Sequence, residues 1–378
     1  MKIIFGTKQN DEELIWQPND TNLIMHTNTG IIGTMGTGKT QFTKSLITQV
    51  YRESTNNIGG QPVGILIFDY KGDYNAQKTD FIEATNANVY SLFHLPYNPL
   101  SIIVGNCPKP MLPLHIANSF KETLSKAYGL GVKQETLLRE VIMEAYAQKG
   151  INKVDPSTWT NAAPTFHDVY NIYITREDVK EDSLYAAMKA IEDFEIFEPD
   201  VSKTKSLYDL IDGVTVIDLS GYDAQIQNLI VAITLDLFYM QMQTSGHSYI
   251  DGNYRQLNKI VLVDEADNFL SQDFLSIKKI MKEGREFGVG TILSTQLLSH
   301  FSNDSGDFAN YIFTWVVHNV ADLSAKDVKK IFNTQTKADE DRIYRDIKNL
   351  QKHHSLVKFT SVSNPEYITD LQFYKLIK

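Results

Sequence analysis

The chain has 378 residues, about two domains by length and enough to bury most of its apolar surface. Its formal charge of −10, from 36 Lys plus Arg against 46 Asp plus Glu, argues against a protein coated in nucleic acid but leaves room for a local basic channel. A single cysteine, Cys107, excludes a disulfide framework and a cysteine-built metal site, and fits a reducing cytoplasm.

Residues 1–5 run into polar sequence too soon for a secretion signal, and segments 2–5 and 13–16 are expected to pair as a small hairpin. An apolar strand at Thr29–Ile32 leads into Gly33, Thr34, Met35, Gly36, Thr37, Gly38, Lys39 and Thr40. These form a complete G-x-x-x-x-G-K-T loop, with a helix following from Gln41. Such a loop closes backbone N–H groups around a β-phosphate, so small residues stand where the backbone must touch the ligand. In this reading Lys39 reaches the β- and γ-phosphates and Thr40 gives its hydroxyl to Mg2+. The helix start at Gln41 adds the positive end of its dipole. ATP and Mg2+ are the expected cofactors.

Residues 63–69 form the next expected strand, ending in Asp69. Segment 101–205 breaks the strand–helix rhythm and reads as all-helical. One stripe is Leu138, Val141, Ile142 and Ala145, and a second is Leu184, Ala187, Met188, Ile191 and Phe194. Strand 214–218 ends in Asp218, which fits a strand that merely stops at an acidic turn. Segment 226–242 carries Gln227, Asn228, Asp236 and Gln241, so it reads as a buried or amphipathic helix rather than a membrane span.

Strand 260–264 ends in Asp264 and is followed at once by a second acid, Glu265. Triphosphate hydrolysis needs one carboxylate for the metal and its hydration shell and another to activate the attacking water, and these two are the natural pair. Helix 274–286 places Phe274, Ile277, Ile280 and Met281 on one face and Lys278, Lys279, Lys282 and Glu283 on the other. Arg285 at its end is either a finger reaching a neighbouring subunit's phosphates or a cation complementing the helix dipole. The next strand, 291–295, ends at Gln296. In a parallel sheet that end faces the ligand crevice, so Gln296 is a γ-phosphate sensor or, failing that, a surface glutamine. Strands at 312–317 and 355–359 follow. His94, His353 and His354 form no set with metal-ligand spacing, so no nuclease is expected in this chain.

Together these elements predict an α/β fold: a P-loop NTPase with a mostly parallel sheet and an all-helical insertion. The expected division is 1–100, an N-terminal hairpin and the first part of the core; 101–205, the insertion; and 206–378, the second part of the core.

The chain resembles the HerA and FtsK type of hexameric, RecA-like DNA-translocating ATPases. The resemblance lies in residues 33–40, 67–74, 216–220, 261–266, 282–290 and 294–296, which occur in family order. More narrowly, 30–44, 95–100 and 264–269 are similar to the ATPase region of the DptH family, found in phosphorothioation-dependent restriction systems. The resemblance implies Walker A roles for Lys39 and Thr40, Walker B roles for Asp264 and Glu265, a sensor at Gln296 and a trans finger at Arg285. It places Asp69 beside the nucleotide, whereas the residues alone equally suit a cap on the Lys71–Gly72 turn.

The function expected is an ATP-driven ring, a hexamer, that moves DNA in an anti-phage restriction system. Its partners would be DNA, copies of itself and other subunits including a separate nuclease, with no membrane association. Lys278, Lys279 and Lys282 either line the pore or form a solvated helix face. The rivals are a conjugation- or secretion-type pump and a nucleotide-gated assembly switch with slow turnover.

Overall fold

The computed structural model describes residues 1–378 apart from 106, 107, 178, 273, 304, 305 and 363, so Cys107 lies outside the described residues. The chain forms two compact units. One comprises 1–89, 211–216 and 247–378, and the other 90–210 and 217–246.

The large sheet is built from β1 (Ile3–Lys8), β2 (Glu13–Trp16), β3 (Thr29–Ile32), β4 (Gly64–Asp69), β5 (Asn88–Ser91) and β6 (Val214–Asp218). It continues with β7 (Lys259–Val263), β8 (Val289–Thr295), β9 (Thr314–Val317), β10 (His354–Phe359) and β11 (Glu366–Asp370). Their order is β2-β1-β11-β10-β9-β3-β8-β7-β4-β6-β5. From β9 through β3, β8 and β7 to β4 every pairing is parallel, with Ile31 opposite Ser294 on one side and Val316 on the other. These strands are buried along their whole length except at Lys259, as continuous apolar runs in a parallel sheet demand.

The expected hairpin exists, but it is no separate piece. β1 pairs antiparallel with β11, which pairs with β10, so one side of the sheet is antiparallel. Gly30 in β3 is required by contact, because a Cβ there would fall 2.5 Å from the Trp315 ring.

The helix α1 (Lys39–Arg52) buries Phe42, Leu46, Ile47 and Val50 in the cluster that contains Ile31, Ile65, Leu262 and Ile292. Each such side chain contributes about 1.5–3 kcal/mol relative to exposure, so the loop ahead of α1 is anchored on both sides by core.

The second unit carries the helices Leu112–Tyr128, Val132–Gln148, Phe166–Ile174, Ser183–Asp193 and Ala224–Thr244. Leu138, Val141, Ile142 and Ala145 are buried, as are Leu184, Ala187, Met188 and Ile191. Phe194 departs from its expected stripe: the helix ends at Asp193, and the ring is 46% exposed. The helix Ala224–Thr244 is mostly buried, and no helix of the described residues is long and apolar enough to cross a membrane. Asp218 accepts from the Ser220 N–H and hydroxyl, which makes it a turn residue.

Candidate nucleotide site

The loop between β3 and α1 has its shape set by backbone conformation. Gly36 (φ 83°) and Gly38 (φ 119°) occupy left-handed conformations that a side chain would strain. A Cβ on Gly38 would also meet His353 Nδ1 at 2.7 Å, and one on Gly33 would meet Thr37 Oγ1 at 2.8 Å. The C-terminal part of the chain fixes the loop from outside. Thr34 N–H donates to Asn319 O at 2.8 Å, Ala321 N–H to Thr34 Oγ1 at 2.7 Å, and His353 N–H to Thr37 O at 2.9 Å. Met35 stands 73% exposed at the loop's crest.

Helix α1 starts without a side-chain cap on Gly38 and with no acid in its first turn. Its leading N–H groups and dipole end are therefore suited to an anion, and a triphosphate fits the loop's chemistry. Gln41 lies in that first turn. Lys39 is buried, and its ammonium donates to the carbonyls of Gly33 and Thr34. Burial lowers its pKa, while Glu265 and Asp264 nearby pull it back up. The Walker lysine and the acidic pair therefore share one electrostatic neighbourhood.

Asp264, one residue past β7, is almost fully buried. Burial pushes its carboxyl up to about 7, and the nearby charges of Glu265, Asp73 and Asp69 act in the same direction. A dication would restore the charged form, and Asp264 with the half-buried Thr40 hydroxyl offers oxygen donors suited to Mg2+. Among the described residues no group of three or more His, Cys, Asp or Glu could hold a metal alone. That fits an ion that also takes ligands from phosphates and water.

Glu265 follows in a left-handed conformation (φ 52°), unusual for a glutamate, and its side chain is nearly enclosed. Gln296 Nε2 donates to Glu265 Oε2 at 3.4 Å. The sheet thus brings together two of the residues singled out in the sequence, although Gln296 engages the carboxylate directly.

Asp69, at the end of β4, is fully buried. Its Oδ1 accepts from the N–H groups of Gly72 and Asp73 at 2.9 Å, and its Oδ2 from Tyr74 N–H at 2.8 Å. This is the turn-capping geometry, and the turn presents Lys71, whose Nζ lies 2.6 Å from Glu265 Oε1. Sequence reasoning missed Lys71 as a site residue. The signal available was a lysine two residues beyond a strand-ending aspartate, in a strand neighbouring β7.

Arg285 lies elsewhere. The helix Leu275–Glu283 passes into a tight turn, Gly284–Phe287, and Arg285 is exposed on it, just before β8 begins. Gln296 is just past the other end of β8. The seven-residue strand spans about 23 Å, far beyond the reach of one side chain. The groups around Arg285 are Arg255 and His26, whose pKa falls to about 4 through burial and these two guanidinium charges. Arg255 Nη1 donates to the carbonyls of Arg285 at 3.0 Å and Glu286 at 3.4 Å and to Ser248 Oγ at 3.1 Å. It too was missed.

A family model described as "Helicase HerA, central domain", also termed DUF87, matches residues 19–238, more than half of the chain. The chain belongs to the HerA central-domain family. With its complete phosphate-binding loop, this HerA-family chain is a P-loop ATPase. It is 20% identical over 298 residues to the DNA import protein CedB of Sulfolobus acidocaldarius, covering 78% of this chain and 44% of CedB. The chain therefore spans less than half the length of that curated relative.

Among solved structures, VirB4 of Thermoanaerobacter pseudethanolicus superposes with a TM-score of 0.73 at 13% identity, covering 99% of this chain and 97% of that one. The plasmid coupling protein TrwB, in complex with the non-hydrolysable analogue ADPNP, superposes with a TM-score of 0.57 at 13% identity, covering 99% and 95%. At these identities the likeness shows a shared fold, the RecA-like P-loop architecture expected from the sequence.

Proposed function

We propose that this chain is an ATP- and Mg2+-dependent motor that assembles as a ring, six copies in the form the family resemblance implies, and moves DNA. One observation carries the reading: the phosphate loop, Asp264 and Glu265 gather at one end of β8, while Arg285 stands exposed at the other. A single copy then has the phosphate cradle, metal donors and base, while its Arg285 is too far away to reach the transferring phosphoryl group of the same site. A neighbour turned about a ring axis supplies the arginine. In the chemistry that follows, Lys39 and the α1 N-terminus hold the phosphates, and Thr40 and Asp264 hold Mg2+. Glu265 takes the proton from the attacking water as it adds to the γ-phosphorus, and ADP leaves.

The names of the relatives support DNA as the substrate. CedB is a DNA import protein and TrwB a conjugative coupling protein. The same names favour the second reading, a conjugation-type pump. The resemblance of 30–44, 95–100 and 264–269 to DptH favours service in a phosphorothioation-dependent restriction system, with cleavage on a separate nuclease subunit. The test is ATPase rate and oligomeric mass, with and without ATP and duplex or single-stranded DNA. The motor requires DNA-stimulated hydrolysis by an oligomer; a constant basal rate with nucleotide-dependent association would replace it with an assembly switch.

A further inference from the structure

Lys71 lies in the segment 67–74 that carries part of the family resemblance, yet the resemblance gives it no role there, and it makes an ion pair with the proposed base. Its ammonium lies 2.6 Å from Glu265 Oε1, while Gln296 donates to Oε2 at 3.4 Å. Each oxygen of the base is thus engaged by a protein donor, and the carboxylate is directed at the lysine. The arrangement is built from both sides. Asp69 spends both its oxygens on three N–H groups of the turn that carries Lys71, and Glu265 is held in a left-handed backbone conformation at a nearly enclosed position. The lysine side chain, by contrast, is 43% exposed on a flexible stem. It can leave without unfolding anything, and the glutamate cannot.

We propose that Lys71 is a positioning residue that acts as a latch on Glu265. Its ammonium holds the carboxylate in the resting protomer and is drawn off by phosphate, which frees the base to face the attacking water. A half-exposed ammonium can exchange a carboxylate for a phosphate, since both accept charge-assisted hydrogen bonds from it. The competing phosphate is either the γ-group of the bound nucleotide or the backbone of DNA. This inference rests on Glu265 being the general base, and the experiment is arranged so that the two ideas fail separately.

The measurement is steady-state ATP hydrolysis by the full chain, for Lys71→Ala, Lys71→Gln and Lys71→Arg, over ATP concentration, without DNA and with saturating DNA. If DNA draws the latch, both neutral variants raise the DNA-free kcat about fivefold, as expected for a partly exposed ion pair, and the stimulation by DNA shrinks by the same factor. If the γ-phosphate draws it, they raise KM for ATP about fivefold while ADP affinity is unchanged. In either case Lys71→Arg stays near the parent. The latch is overturned if kcat, KM and DNA stimulation all match the parent. It is overturned equally if all three variants, arginine included, lose kcat together at constant KM, the mark of a merely structural residue. On a Glu265→Gln background, Lys71→Ala should change nothing further. If Glu265→Gln alone turns over like the parent, the base assignment is at fault, and the latch goes with it.

Discussion

The two ends of β8 are organised on opposite principles. At the C-terminal end positive and negative groups are interleaved: Lys39 beside Asp264 and Glu265, and Lys71 on Glu265. At the N-terminal end Arg285, Arg255 and His26 stand together, and burial, reinforced by the two guanidinium charges, holds the histidine neutral. Like charges side by side cost energy unless something offsets them. Glu286 offsets part of the repulsion between Arg255 and Arg285, and the Arg285 side chain itself is left exposed. Under the proposed function, this difference is what a catalytic set divided between two faces of one protomer would require, each face meeting the opposite face of another copy.

The sharpest way to break this comparison is Arg285→Ala. It should lower kcat by about 10³ or more while nucleotide affinity, measured by titration with a labelled ATP analogue, holds; lost affinity would place Arg285 in its own protomer's site. Glu265→Gln comes next, lowering turnover by about 10²–10⁴ with ATP still bound, and single-turnover chemistry is the measurement. Lys39→Ala should weaken ATP binding about 10- to 100-fold, and unchanged affinity would remove the phosphate loop from the account.

The smallest effect concerns stability at the arginine end. His26 is buried, with a pKa near 4 against an ordinary 6.5, so the unfolded chain takes up its proton first as pH falls. Its contribution is complete above pH 6.5 and is lost progressively as pH drops toward 4. Between pH 7 and pH 5 the loss should be about 2 kcal/mol. Denaturant melts of His26→Gln should show an acid limb shallower by that amount, and an identical limb would mean that the histidine is not shielded as described.

The legible parts of this protein are those whose chemistry is local. Gly33 to Thr40 could be read because phosphate binding dictates residue types over eight consecutive positions, and Asp264 with Glu265 because a buried strand ends in adjacent acids. Gln296 could be positioned because parallel topology orients the end of β8, whereas Arg285 could be read only as the end of the preceding helix, with its role left open. Lys71 was not legible as a partner of Glu265, since the pairing joins residues nearly 200 positions apart through neighbouring strands. The C-terminal clamp on the loop, made by Asn319, Ala321 and His353, was hidden for another reason. It uses mainly backbone groups, which every residue possesses. The antiparallel side of the sheet escaped notice because β11, Glu-Tyr-Ile-Thr-Asp, is a short edge-like sequence that gains its register only by pairing with β10 and β1. Asp69 shows the reverse case: the turn-capping chemistry of an aspartate was readable, and the geometry uses both of its oxygens for it.

The most direct test of the divided site is to mix Arg285→Ala with Glu265→Gln and follow ATP hydrolysis across mixing ratios. Each variant alone should be nearly inactive. In mixed rings, a seam that pairs the intact base of one copy with the intact arginine of its neighbour should recover activity, highest near equal proportions. Mixed oligomers that form, verified by mass, yet hydrolyse no faster than either variant alone would contradict it.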